Sequence, residues 1–349
     1  MAYTTINKGS DYFNTKLYTG NDTTNAITGV NFQPDLVWIK GRDSAYNHQL
    51  VDIIRGVNKP LRSNLSVAEA TLSDSFNSFD SDGFTLGGDA ETDNFNNSGQ
   101  NYVAWNWLGG GTGVSNTDGS ITSTVSANTT SGFSIVSWTG NGSNSTIGHG
   151  LSTAPKMIIL KNRSQDSNWI VYNQNLSSYL WRLNLDSTSA ETSTSGSEYW
   201  TAYPTSSVFS VGTNFRINGS SDNIIAYCFA EKKGFSKFGS HVGNGSTNGT
   251  FIYTGFKPAF FLLKPSSGTG QWFIWDSIRS PINQVQKYLS PEANFAEGDS
   301  SGAAVDFVSN GVKIRNSDGG INQNGITYIT MAFAEHPLVS STGTPVTAR

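Results

Sequence analysis

Three times along the chain a proline opens a mostly apolar run that ends, six positions on, in a lysine: Pro34 to Lys40, Pro155 to Lys161 and Pro258 to Lys264. A Gly-Asn pair stands 14 or 15 residues before each proline, at Gly20-Asn21, Gly140-Asn141 and Gly243-Asn244. A second apolar run follows each lysine, Tyr102–Trp107, Ile224–Phe229 and Tyr328–Phe333, and its last aromatic lies 67, 68 and 69 positions beyond the lysine. Three markers in one order at nearly constant separation describe a tandem triplication. The 349 residues then divide into units of roughly 100 residues, each large enough for a core of its own. The expected boundaries are 1–108, 132–234 and 235–349, with a linker over 109–131.

Proline fixes φ and lacks an amide donor, which suits the start of a strand, and a lysine at the other end is expected to return the chain to water. The second run mixes aromatic and β-branched residues without helical spacing and follows turn residues such as Asn97-Ser-Gly99, so it too reads as a strand. Between them Phe79 to Phe84, Val208 to Gly212 and Phe307 to Gly311 run apolar residues into a glycine turn, the pattern of a hairpin. Ser, Thr, Asn and Gly fill the spacers and disfavour helix interiors. The expected fold is all-β: three tandem antiparallel β-sandwich repeats, lectin-like or jelly-roll-like. One helical turn is expected at Val67–Leu72. The segment 109–131 has almost no large apolar residue and reads as a linker. Repeats two and three have no such spacer, so Phe235 and Phe238 are expected to pack at their junction and make them the tighter pair.

A net charge of −4 with no basic cluster beyond Lys232-Lys233 excludes an electrostatic footprint for nucleic acid. No apolar stretch approaches the roughly 20 residues of a membrane helix, and the N-terminus lacks the regions of a signal peptide, so no membrane insertion is expected. Cys228, the only cysteine, lies in an apolar run and reads as an inert core thiol. Charged residues make up 14 %, against roughly 25 % in ordinary globular domains, and aromatics 12 %. Surfaces made polar by hydroxyls and amides are typical of extracellular β-proteins and viral fibres.

Asp52 and Asp276 each stand twelve positions after a marker lysine and three before an arginine, Arg55 and Arg279; repeat two has Asn173 and Leu176 instead. These pairs read as structural ion pairs holding a loop, in preference to a ligand clamp. Asp80, Asp82, Glu91 and Asp93 cluster in repeat one, but no carboxylate pair suggests glycoside hydrolysis, and Asp80-Ser-Asp-Gly83 reads as a polar hairpin turn more readily than a calcium loop. His48, His149, His241 and His336 read as loop residues without metal spacing. No catalytic signature, metal site or cofactor is implied. Trp38, Trp105 and Trp107 belong to marker strands and the core. Trp169, Trp181, Trp200 and Trp272 lie beside polar loops, where exposed rings would stack on sugars or pack against another subunit. Asn141 and Asn244, with His149 and His241 flanking their loops, complete the candidate ligand-binding residues.

The opening Met-Ala-Tyr-Thr-Thr-Ile-Asn-Lys8, the stretch Asp11 to Asn21, Phe32 to Lys40, Lys233 to Gly239, Tyr253 to Pro258 and the ending Met331 to Pro337 resemble virion proteins of marine tailed bacteriophages. The resemblance implies a tail-fibre or structural protein with tandem repeats of a domain of unknown function. It implies assembly in the host cytoplasm onto the virion surface, contact with other virion proteins and a host-surface glycan or receptor, and a homo-oligomer. It carries no catalytic residues. The expected function is a non-enzymatic tail-fibre or receptor-binding component. A capsid decoration or head-fibre protein and a glycan-cleaving virion enzyme are the alternatives.

Overall fold

Each marked run is a strand, and the strands join in one order three times. A computed structural model describes residues 4–88, 94–193, 196 and 198–336. The first third contains β1 (Phe13–Thr19), β2 (Asn25–Thr28), β3 (Leu36–Gly41), β4 (Gln49–Asp52), β5 (Phe76–Asp80), β6 (Gly83–Leu86) and β7 (Asn101–Trp107). There follow β8 (Val114–Asn116), β9 (Ser123–Asn128), β10 (Phe133–Thr139), β11 (Ser145–Gly148), β12 (Met157–Asn162), β13 (Ile170–Asn173), β14 (Trp181–Asn184), β15 (Thr192–Ser193), β16 (Val208–Val211) and β17 (Asn223–Phe229). The last third holds β18 (Ser236–Val242), β19 (Phe251–Tyr253), β20 (Lys257–Pro265), β21 (Phe273–Asp276), β22 (Lys287–Tyr288), β23 (Gly298–Asp299), β24 (Val305–Val308), β25 (Gly311–Ile314) and β26 (Thr327–His336).

The main sheets are ordered β1-β7-β3-β4, β10-β17-β12-β13 and β18-β26-β20-β21, all antiparallel. The marker lysine's strand therefore sits between the last strand of its repeat and a fourth strand each time. A small sheet accompanies each: β2-β6-β5, β11-β16 and β19-β25-β24. Side chains alternate across a strand, and here both faces are covered, so all six residues of β3 and of β12 are buried. Val37 and Ile39 pack with Phe76, Phe84 and Leu86 in the sandwich core of the first unit, while Leu36 and Trp38 face a core shared by all three. Ile158 and Leu160 divide from Met157 and Ile159 in the same way.

The shared core is centred on the residues that close the second apolar runs. Trp107, Phe229 and Phe333 form a triangle with ring centroids 6.3, 5.9 and 6.1 Å apart. Phe13 stacks on Phe333 at 5.0 Å and Phe133 on Phe229 at 5.0 Å, and Phe260 meets Trp107 edge-on at 5.9 Å. Three equivalent residues touching one another place a pseudo-threefold axis through the chain. The three sheets thus form a ring around one apolar centre.

Several expectations need correction. The marker lysines do not return to water: Lys40, Lys161 and Lys264 are fully buried. Each Nζ donates to the carbonyl of the next residue, at 2.6, 2.6 and 2.7 Å. The segment 109–131 is no linker but folds into β8 and β9, and β9 extends the second sheet by pairing with β10. Strand pairing recruits this Ser/Thr-rich stretch because it offers backbone groups to an open edge, needing few apolar side chains. Val67–Leu72 contains no helical turn. Hairpins form at β5/β6 and β24/β25, but β16 pairs with β11 and bridges to Trp200 instead of forming one. Phe235 and Phe238 do pack at the centre, against Phe333 at 5.6 and 6.3 Å.

Removing Trp107 takes a corner from the triangle. Trp107→Ala is expected to cost ~3–5 kcal/mol of unfolding free energy in urea titration, against less than ~0.5 kcal/mol for Phe295→Ala, whose ring is 61 % exposed.

Candidate functional site

The polar groups that the sequence marks out are built into three seams between neighbouring units. The backbone N–H of Glu69 donates to the carbonyl of Arg163 (2.9 Å), that of Glu191 to Ser266 (2.7 Å) and that of Glu297 to Arg42 (2.7 Å). These contacts run from unit one to two, two to three and three to one. A second set runs the other way from the position eight residues after each marker lysine. Trp169 Nε1 donates to the Arg62 carbonyl at 2.9 Å, Trp272 Nε1 to Asn184 and Ser187 carbonyls at 3.1 and 3.2 Å, and His48 Nε2 lies 3.0 Å from the Ser290 carbonyl. Both sets close on themselves.

Charge reinforces two seams. Asp52 and Arg55 pair at 2.5 Å with both side chains fully buried, and the Tyr227 hydroxyl of the second unit donates to the same Asp52 oxygen at 2.8 Å. Arg55 also holds Glu69 at 3.0 Å, and Glu69 takes two hydrogen bonds from Arg163, at 2.9 and 2.8 Å. The third unit repeats this on the first: Asp276 pairs with Arg279 at 2.5 Å and accepts from Trp105 Nε1 at 3.1 Å. Glu297 joins Arg279 at 3.2 Å and Arg42 at 2.9 and 2.8 Å. The structural reading of these ion pairs therefore extends from a local loop to the contact between units. Burial would raise the Glu69 and Glu297 carboxyls, but their arginine partners outweigh it and hold both below the ordinary range. Burial also works against the charge of Arg55, yet Asp52 keeps its pKa above the usual arginine value.

The seam between units two and three has Asn173, Leu176 and Ser266 at the corresponding places, and Glu191 accepts instead from the Ser177 N–H and hydroxyl at 2.9 and 2.8 Å. Lys264 compensates by donating across it to the Ser189 and Thr188 carbonyls at 3.0 and 3.3 Å. The charged clasps thus join one to two and three to one, and the directly connected second and third units are not the more strongly clasped pair.

Of the eight candidate ligand residues, five are buried, Trp181 is half-buried, and Asn141 and Asn244 are exposed. Trp169, Trp200 and Trp272 are buried, and Trp181 is half-buried against the shared core. The rings of Trp169, Trp200 and Trp272 do not present a free face for a sugar. Asn141 and Asn244 belong to clamps in which their N–H donates to Asn218 or Asn322 Oδ1, at 3.3 and 3.0 Å, and their own Oδ1 accepts back at 3.1 and 2.9 Å. Asn21 and Asn96 make the same clamp in the first unit. His149 accepts from the Leu151 N–H through Nδ1 and meets the Thr205 carbonyl through Nε2, and burial lowers its pKa. His241 lies within β18, not in a loop, stacked 5.1 Å from Tyr328, and burial lowers it to about 4. His48, buried and facing Lys40, is held well below its usual value. All three are neutral near pH 7, so none is poised for acid–base exchange there.

Asp80 accepts from Ser78 and Thr85 hydroxyls, and Asp82 from the N–H groups of Gly29 and Asn31, as a polar hairpin requires. Glu91 and Asp93 lie outside the described residues. Among the described residues no group of three His, Cys, Asp or Glu side chains is placed to hold a metal ion, and no helix is long and apolar enough to cross a membrane. Cys228 is buried with its thiol pKa pushed up by burial, in keeping with a core residue.

What lies open was missed by the tryptophan count. Phe251 and Tyr253, 43 % and 60 % exposed, alternate along β19, and Tyr253 borders a cleft of about 450 Å³ lined also by Glu231, Lys233 and Lys237. A second cleft, of about 260 Å³, lies beside β1. The only signal for the first was a Phe-x-Tyr alternation, which is equally common in buried strands.

The class defined by this architecture is an all-β protein in which three sandwiches close on a common core. The chain belongs to a family described as a domain of unknown function (DUF7483), whose profile matches residues 8–337 and so spans all three units. No curated protein matches it.

The buried lysines give the stability of the chain a pH signature. Burial, with Arg279 nearby, lowers Lys40 from 10.5 to about 7, and burial lowers Lys161 and Lys264 to about 8. Above its folded pKa each lysine binds fewer protons folded than unfolded, so stability rises with pH from there to about 10.5 and the full penalty applies below. Glu292, raised by burial to about 7, acts oppositely between pH 4.5 and 7. Urea midpoints at pH 7 and 8 are expected to rise less with pH in Lys40→Met than in the parent. Identical slopes would exclude a depressed Lys40.

Proposed function

We propose that the chain is a non-enzymatic bacteriophage virion surface protein of the tail-fibre or receptor-binding kind, and that Phe251 and Tyr253 make its contact with a host-surface glycan or protein. The observation that carries this reading is the division of labour among side chains. The buried Asp–Arg pairs with Glu69 and Glu297, the three histidines His48, His149 and His241, and Trp169, Trp200 and Trp272 are committed to seams and cores, while two aromatic rings stand out on one edge strand beside lysines. Aromatic faces of this kind stack on sugar rings or enter protein pockets. The virion assignment rests on the resemblance of the terminal and marker segments to phage virion proteins, and the polar surface of amides and hydroxyls is in keeping with it.

A pseudo-threefold ring also favours a second reading, a capsid decoration protein, because it would match a threefold position on a shell. Cryo-electron microscopy of particles carrying the tagged chain separates the two: density at the tail is expected, and density on the shell supports decoration. In the same system Phe251→Ala/Tyr253→Ala is expected to lower adsorption to host cells at least tenfold without changing the melting temperature. Unchanged adsorption removes these residues from the contact. Release of oligosaccharide from host polysaccharide by the purified protein would overturn the non-enzymatic reading.

A further inference from the structure

The three main sheets each have an edge formed by their first strand, and the three edges are treated differently. In the second unit β9 lies along β10 in antiparallel register, Asn128 opposite Phe133 and Thr124 opposite Ser137. The chain reaches this edge by crossing the end of the first unit, where Asp35 accepts from the N–H groups of Gly109 and Gly111 at 2.7 and 3.2 Å and Ile54 lies against Gly113. In the third unit the edge is capped by side chains. The Phe238 N–H donates to Glu231 at 3.2 Å, and its carbonyl accepts from Gln174 at 3.4 Å.

Among the described residues the first unit shows neither device. Among the described residues β1 pairs only with β7, and beside it runs the cleft of about 260 Å³, bordered by Thr15, Asn14, Asn31, Ser277 and Ile278. Ala259, Ser277 and Ile278 of the third unit also line it, and they correspond in sequence to Asp35, Ile53 and Ile54 of the first. The positions that flank the path of β9 onto β10 therefore recur beside β1, with Ala259 where the first unit has the carboxylate of Asp35. Thr15 corresponds to Phe238, so its backbone N–H and carbonyl face this open edge. Thr15 and Ser277 are only 5 % and 8 % exposed, and among the described residues neither hydroxyl has a hydrogen-bond partner. Buried hydroxyls without partners are uncommon, and both residues line this cleft.

We propose that the edge of β1 is a docking site for an extended strand from another protein, uncharged and rich in serine and threonine, which adds antiparallel to the sheet as β9 adds to β10. Main-chain hydrogen bonds supply the affinity of such strand addition. The chemistry of the occupant follows from the cleft, which offers hydroxyls and amides between the apolar Phe13, Ala259, Ile278 and Ala334, and a single carboxylate, Glu335, already paired with Lys257 at 2.7 Å. The occupant of the equivalent edge, Ser-Thr-Val-Ser-Ala-Asn at 123–128, has the same uncharged character.

The probe is a synthetic peptide copying residues 121–128, titrated against the full chain by calorimetry with amide exchange read at β1. Saturable binding with slowed exchange at Thr15 and Leu17 is expected, weakened at least tenfold by Ser277→Phe, which fills the cleft. Should that variant fail to fold, Ile278→Lys at the partly exposed rim serves the same purpose. No binding at millimolar peptide, or equal binding by a folded cleft-filling variant, overturns the proposal. So does a dimer of this chain that Ser277→Phe abolishes, because the occupant would then be a second copy.

Discussion

The fold depends on ring closure. Three sheets that each bury one face in their own sandwich still carry an apolar inner face, and that face finds cover only on the other two. The triangle of Trp107, Phe229 and Phe333 is the point at which all three demands are met together. Because closure brings the third unit back onto the first, the seam from Glu297 to Arg42 joins residues 255 positions apart, with the same geometry as the seam from Glu69 to Arg163.

Charge inside such a ring specifies more than it stabilises. A buried ion pair gains little over a well-packed apolar pair, but breaking one partner costs about 3–5 kcal/mol. Asp52 with Arg55, and Asp276 with Arg279, each reach an aromatic donor on the neighbouring unit, so they reward one docking geometry and penalise others. The seam without them is closed by the covalent connection through 230–235 and by Lys264. The distribution makes physical sense: the pair of units already held together by a short connection is the pair that dispenses with charge.

Much of this was legible in the sequence, and what was not has identifiable reasons. The recurring Pro-to-Lys and apolar-to-aromatic runs gave strands in the right places, because period-two side-chain alternation with both faces covered produces continuous apolar runs. The Asp-x-x-Arg pairs were legible as ion pairs holding a loop from their recurrence between repeats, but not as contacts between units. The lysines were misread because a charged residue at a strand end normally faces water, whereas each Nζ here turns back onto carbonyls beside its own strand end, and Lys264 also reaches across a seam. The segment 109–131 was misread because edge pairing draws on backbone groups that composition does not reveal. Trp169 and Trp272 looked like exposed aromatics beside polar loops, yet those loops are the seams; a tryptophan that donates to a neighbour's carbonyl cannot be told from a sugar platform in one dimension. Phe251 and Tyr253 carried no distinguishing pattern at all.

The central claim is that the three units share one core and stand or fall together. Scanning calorimetry of the full chain tests it through the ratio of calorimetric to van't Hoff enthalpy. A single transition with a ratio near one is what ring closure demands. Three resolved transitions, or a segment 132–234 that melts alone at the temperature of the intact chain, would contradict it.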